Sequence, residues 1–216
     1  MNLEKVWSIV KNIPFMNPVQ WKGIFNLILK YDINNILELG FAHGTSTCYM
    51  AAALDEKKTG HIITIDHTRA KNRSPNIEEL LKISKLSKYV KPIYAHSTYN
   101  WELMKLIEKN TQNGICEPTF DFCYLDWSHN FQIDVCAFFL VDKLLKPGWI
   151  ILFDDIDWCF GESKNMHDIE TNWVNSMSDE EQTIPHVWKI IELVVNQHPN
   201  YTSIDTLDGW ALAIKK

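Results

Sequence analysis

No apolar run in the chain approaches the ~20 residues needed to cross a bilayer. The N-terminus, Met1-Asn2-Leu3-Glu4-Lys5-Val6-Trp7, mixes acid and base and carries no apolar leader. A basic surplus is also missing: 21 Lys and Arg stand against 27 Asp and Glu, a formal charge of −6, whereas a protein that grips nucleic-acid phosphates is usually basic. No cysteine pair has C-x-x-C or other zinc-like spacing, and the odd set Cys48, Cys116, Cys123, Cys136 and Cys159 argues against a disulfide framework. Internal repeats and low-complexity tracts are absent. The expectation is a soluble, cytoplasmic chain with reduced thiols and no membrane or nucleic-acid partner, with Cys123 and Cys136 packed as small hydrophobes. What is present is 46% hydrophobic residues in 216, too many for a disordered chain and enough for one domain with a sizeable core.

Short apolar runs alternate with helical stretches. Strands are expected at Asn35–Leu39, His61–Asp66, Lys91–Ala95, Asp121–Asp126 and Trp149–Asp154. Helices are expected from Ser46 to about Asp55, from about Asn76 to Lys88, near Trp101–Lys109, over Phe131–Lys146 where Pro147-Gly148 stops it, and over Val187–Asn196. This alternation implies an α/β fold, a Rossmann-like, doubly wound, mostly parallel sheet whose ligands lie beyond the carboxyl ends of the strands. Asp208-Gly209 between two alternating runs is a hairpin signal, so the seven-stranded sheet should end in an antiparallel pair. Residues 1–34 read as a helical cover, and Asp157–Ile184 as a lid or insertion within a single domain spanning 1–216.

The stretch Glu38-Leu39-Gly40-Phe41-Ala42-His43-Gly44-Thr45-Ser46 follows E-x-G-x-x-x-G. Gly40 lets the chain turn off a strand close to a ligand, and Gly44 opens a helix whose free N–H groups suit an anion. It is neither the G-x-G-x-x-G of dinucleotide sites nor a P-loop, which excludes a nicotinamide enzyme. Here the chain resembles the class I S-adenosylmethionine-dependent methyltransferases, whose first motif has this form. The resemblance implies that Glu38, Gly40, Ala42, Gly44 and Ser46 bind the cofactor, with Ala42 and Ser46 at its methionine part. Asp66, ending the second strand, would accept from the ribose hydroxyls, and Ser97 and Trp127 would face the adenine. Met16 resembles a segment that closes over the cofactor.

A second stretch, Asp126-Trp127-Ser128-His129, pairs with Asp154-Asp155 at the end of the next strand. In this fold those strands are neighbours about 4.8 Å apart, so three carboxylates converge and raise one another's pKa unless a divalent cation such as Mg²⁺ joins them. The alternative leaves Asp126 a loop acid or helix cap and Asp154-Asp155 solvated turn residues. The pattern is similar to that of metal-dependent O-methyltransferases of the catechol O-methyltransferase type, with His where those enzymes have Lys, as in macrolide-sugar relatives. The resemblance covers about Ile13 to Lys216 and implies Asp126, Asp154 and Asp155 as metal ligands, Asp126 also bordering the cofactor, and His129 as general base.

His129 precedes Asn130, a good helix N-cap, and beside a helix N-terminus and a cation its imidazole would stay neutral and able to accept a proton. Most of the other histidines, a set that includes His186, are expected on the surface or in loops. Trp158, just past Asp155, would wall the acceptor pocket. The expected reaction is cofactor-dependent methylation of a hydroxyl on a small molecule (sugar, polyol or phenol). A metal-independent methyltransferase and a non-catalytic cofactor-binding subunit remain as alternatives. The N-terminal helices offer a surface for a homo-oligomer.

Overall fold

The computed structural model describes residues 3–14, 16–126, 128–162 and 174–216. Its apolar runs become the strands of a seven-stranded sheet: β1 (Asn35–Leu39), β2 (His61–His67), β3 (Val90–Ala95), β6 (Phe120–Leu125), β7 (Leu145–Phe153), β8 (Tyr201–Leu207) and β9 (Trp210–Lys215). Two two-residue strands, β4 (Thr111–Gln112) and β5 (Ile115–Cys116), form a separate ribbon. The sheet order is β3-β2-β1-β6-β7-β9-β8. All pairings up to β7 are parallel, and β9 runs antiparallel to both β7 and β8. The expected hairpin is therefore present, and its tip, Asp208 (φ 56°) and Gly209 (φ 81°), has the two positive φ values of a type I′ turn.

Central strands are apolar throughout because helices cover both faces: every residue of β6 is buried. On one face lie α1 (Leu3–Val10), α2 (Pro18–Lys30), α3 (Thr45–Lys57) and α4 (Ile77–Ile83). On the other lie α5 (Tyr99–Lys109), α6 (Phe131–Leu144) and α8 (His186–Ile190), the last continued by a π-helical turn, Ile191–Val195. A short α7 (Asp179–Thr183) precedes α8. Helix α3 is buried from Thr45 to Asp55 because α1 and α2 close over the face turned away from the sheet, and Trp21 stacks on Tyr49 at 5.3 Å. Small side chains such as Ala51, Ala52 and Ala53 suit a helix enclosed on all sides.

Four expectations change. The helix beginning at Asn76 ends at Ile83, because Lys85 turns left-handed (φ 56°) and the Leu86 amide closes back on the Leu81 carbonyl. Helix α6 ends at Leu144 and passes straight into β7. Pro147-Gly148 therefore lies within that strand, where the β6–β7 register shifts between Phe120 and Phe122 and Gly148 has φ 82°. Cys136 is exposed, since α6 buries Ala137, Phe138, Val141 and Leu144 instead; all five cysteines are free. His186 is buried: its Nδ1 accepts from the Phe131 amide at 3.2 Å and its Nε2 lies 2.8 Å from the Glu181 carbonyl, tying α7 and α8 to the start of α6. Of the expected lid, residues 163–173 lie outside the described residues. No helix among the described residues is long and apolar enough to cross a membrane.

Gly44 precedes α3 with φ 94°, and a Cβ there would meet Ile77 Cγ1 at 2.5 Å. Gly114 has a similar φ of 80° with nothing within 4 Å. A left-handed residue with a Cβ costs about 1–2 kcal/mol. Gly114→Ala should cost about that much in urea unfolding, and Gly44→Ala clearly more because Ile77 must also move; equal losses would contradict this packing.

Candidate functional site

Strand register builds the site. Leu39 pairs with both Ile65 and Leu125, and Leu125 pairs with Phe153. The next residue of each strand, Gly40, Asp66, Asp126 and Asp154, therefore forms a row across the carboxyl edge of the sheet. Three of their amides extend the ladder by one step: Gly40 to Ile65 O (2.8 Å), Asp126 to Leu39 O (2.9 Å) and Asp154 to Leu125 O (3.0 Å).

The glycine loop rests on two acids. Asp66 Oδ2 accepts from the amides of Phe41 (2.9 Å) and Ala42 (2.6 Å), and Oδ1 from its neighbour His67 (2.5 Å). Burial raises its pKa; these amides and Arg73 oppose the shift. A carboxylate has about four acceptor positions, so Asp66 keeps one for a ligand. Glu38 is fully buried and turned inward, accepting from Ser46 Oγ, Thr47 Oγ1 and Thr64 Oγ1, each at 2.5 Å. Burial pushes its carboxyl up to about 7. Glu38 and Ser46 thus bond to each other beneath the loop, while Gly40, Ala42 (φ 47°) and Gly44 shape its path.

Two cavities flank the row. One of about 250 Å³ is lined by Ser97, Tyr99, Ser128 and Ile133 among others. The other, about 440 Å³, is lined by Met16, Asn17, Gln20, Asp126, Asp154 and Asp155. Trp127 lies outside the described residues. Helix α2 reaches the second cavity through a capping box: Asn17 Oδ1 accepts from the amides of Val19 and Gln20, and Gln20 Oε1 accepts from the Asn17 amide.

The acids of the second cavity are unequal. Asp126 is pushed well above the usual carboxylate range, first by burial and then by the charges of Asp154 and Asp155. Asp154 is buried and raised to about 6, again by burial and then by Asp155. Its Oδ2 accepts from the Tyr124 hydroxyl and its Oδ1 from the Asp155 amide at 2.8 Å. The Trp210 indole N–H faces the same carboxylate without closing a hydrogen bond. Asp155 is half exposed, with its Oδ2 3.3 Å from His129 Nε2. The side chains of Asp126, His129 and Asp155 bring one ligand atom each within 4.8 Å of one another. Asp154 lines the same cavity as Asp126 and Asp155.

His129 sits on a loop braced from α6. Asn130 caps the helix through Oδ1 to the Ile133 amide (3.0 Å), as expected. Buried Asp134 accepts from Ser128 Oγ at 2.7 Å, and burial raises its carboxyl to about 7. The Trp158 ring lies 4.8 Å from the His129 ring.

Asn17, Gln20 and Tyr124 were not anticipated. The first two carry a sequence signal, since Asn-Pro-x-Gln is a capping-box pattern. Tyr124 carries one too: it pairs with Leu152, two residues before Asp154 on the same face.

The sequence profile described as "Methyltransferase domain" matches residues 37–156, more than half of the chain. No curated protein sequence matches it significantly. Among solved structures, an O-methyltransferase from Bacillus cereus in complex with SAH has 22% identity and a TM-score of 0.69, over 99% of this chain and 90% of that one. The O-methyltransferase TomG from Streptomyces achromogenes, involved in tomaymycin synthesis and solved with SAM, has 18% identity and a TM-score of 0.66, over 99% and 88%. A protein from Staphylococcus aureus described as a caffeoyl-CoA O-methyltransferase has 20% identity and a TM-score of 0.67, over 99% and 90%. At these identities the likeness shows the fold.

Glu38 titrates near 7 when folded against 4.5 when free. A raised acid stabilises the fold fully below pH about 4.5, and that contribution is lost as pH rises toward 7, on the order of 3 kcal/mol. Urea unfolding of Glu38→Gln should lack this loss, so the variant gains on the parent between pH 5 and 8; parallel pH profiles would show that Glu38 is ionised throughout.

Proposed function

Because the chain belongs to the methyltransferase-domain family and is a class I S-adenosylmethionine-dependent methyltransferase, we propose that its reaction is divalent-cation-dependent O-methylation of a small hydroxylated molecule, a sugar, polyol or phenol. The observation that carries this reading is the convergence of Asp126, His129 and Asp155 at the strand edge, beside the glycine loop. The O-methyltransferase names of the structural neighbours, two of them with SAH or SAM bound, support it.

The donor set fits a cation. Two carboxylates and an imidazole nitrogen lie close enough to share one ion, and His129 Nε2 is buried without a hydrogen-bond partner among the described residues. When bound, the cation would supply Lewis-acid polarisation and lower the pKa of the acceptor hydroxyl.

The chain's own residues do the rest. The loop Gly40–Gly44 would hold the methionine part of the cofactor, the remaining acceptor position of Asp66 would take a ribose hydroxyl, and the cavity containing Ser97 would receive the adenine. Met16 and the start of α2 close the acceptor side and exclude water. With donor and acceptor held in line, the hydroxyl oxygen forms a bond to the methyl carbon as the carbon–sulfur bond breaks. S-adenosylhomocysteine leaves as a neutral thioether, and the hydroxyl proton passes to the half-exposed Asp155 edge and on to solvent. Orientation and charge stabilisation account for most of the acceleration.

EDTA, or Asp126→Asn, should reduce methyl transfer to 3,4-dihydroxybenzoate and methyl glycosides by at least about 100-fold while S-adenosylhomocysteine still binds in calorimetry. Full turnover in EDTA would remove the cation from the reaction.

A further inference from the structure

His67 closes β2 one residue after Asp66 and pairs with Ala95 of β3. It lines the cavity of about 250 Å³, together with Ser97, Tyr99 and Ser128. Its own amide is taken by Asp66 Oδ1, so what it offers the cavity is the imidazole. Nδ1 accepts from the Arg69 amide at 3.1 Å and from Arg69 Nε at 3.2 Å. A backbone amide and a guanidinium nitrogen can only donate. Nδ1 therefore turns its lone pair toward them, which puts the ring's proton on Nε2. These contacts also cap the 3₁₀ turn Thr68–Asn72, so the turn and the tautomer are held together. Among the described residues Nε2–H meets no partner.

Asp66 and His67 thus offer opposite chemistry side by side: the acid has an acceptor position left, and the imidazole has a donor. Consecutive Cα atoms lie about 3.8 Å apart, so the two side chains reach neighbouring parts of one ligand. A nucleoside meets both demands, since its ribose hydroxyls donate and its ring nitrogens accept. Among the ring acceptors of adenine, N3 lies beside the glycosidic bond and, in the anti form, on the side of the 2′-hydroxyl. It is the acceptor nearest to a sugar held by Asp66, whereas N1 lies on the far edge and N7 on the opposite side.

Resting on the placement of ribose and adenine proposed above, we infer that His67, held in one tautomer by Arg69, is a specificity residue that donates Nε2–H to adenine N3. The hydroxyls of Ser97, Tyr99 and Ser128 can each donate or accept and discriminate less between bases. His67 in this tautomer only donates into the cavity.

The test uses the full chain and calorimetry with S-adenosylhomocysteine and its 1-deaza, 3-deaza and 7-deaza analogues, in each of which a C–H replaces one ring nitrogen. The parent should bind the 3-deaza analogue at least about fivefold more weakly than S-adenosylhomocysteine, the loss expected for one hydrogen bond between uncharged groups. His67→Phe should weaken S-adenosylhomocysteine by a similar factor and leave the 3-deaza analogue within about twofold of its affinity for the parent. Any losses caused by the 1-deaza and 7-deaza changes should be the same in the parent and in His67→Phe. His67→Gln, whose Nε2 can replace the donor, should bind S-adenosylhomocysteine within about twofold of the parent. In ¹⁵N spectra of histidine-labelled parent, the His67 resonances, assigned by their absence from His67→Phe, should report the Nε2–H tautomer. A role confined to packing would weaken S-adenosylhomocysteine and the 3-deaza analogue equally. That result, unchanged S-adenosylhomocysteine affinity in His67→Phe, an Nδ1–H tautomer, or coupling to N1 or N7 in place of N3 would each overturn the assignment. Failure of the parent to bind S-adenosylhomocysteine would instead count against the cofactor reading.

Discussion

The amides of Gly40, Asp126 and Asp154 each donate to a carbonyl near the end of the adjoining strand, and this one-residue extension of a parallel ladder is what the working edge depends on. Slanted, evenly spaced parallel bonds give neighbouring strands the same phase. Residues that follow them then emerge side by side, whatever their distance in sequence. A glycine turn, an acid that supports it and two further acids meet because strand ends, not loops, place them. Helices on both faces hold the register, since a slip of one residue would turn buried side chains toward the wrong face.

That row concentrates negative charge where little water reaches it. The protein relieves the conflict differently at each acid. Glu38 is surrounded by three hydroxyls that can donate to an anion or accept from a neutral acid. Asp66 is satisfied by backbone amides, and Asp154 by a phenol and an amide. Among the described residues no hydrogen bond reaches the Asp126 carboxylate, and burial together with the charges of Asp154 and Asp155 raises it well above the ordinary range. Among the described residues the electrostatic demand is therefore least met at the second cavity, beside an imidazole nitrogen whose approach to Asp155, 3.3 Å, is an ion-pair contact without a hydrogen bond.

Much of this was legible in the sequence because each strand ends in a residue of distinct chemistry. The mostly parallel sheet and the terminal hairpin followed from alternation and from Asp208-Gly209. Helix ends were less legible. Pro147-Gly148 reads as a helix stop, but the chain had already left the helix at Leu144, and the pair is absorbed as an irregularity in β7. Side-chain direction was the least legible property. Glu38 and Ser46 sit at the expected places in the motif yet turn toward each other, because a carboxylate beneath a covered sheet edge must find donors locally. His186 resembled any loop histidine until α6 presented it with an unpaired amide.

The capping box of α2 has a consequence for shape. Asn17 and Gln20 hold the first turn of that helix together and also line the second cavity. The hydrogen bonds that close the first turn of α2 are thus the ones that place two side chains on the wall of this cavity, so its outline there is set by a helix cap and not by a free loop.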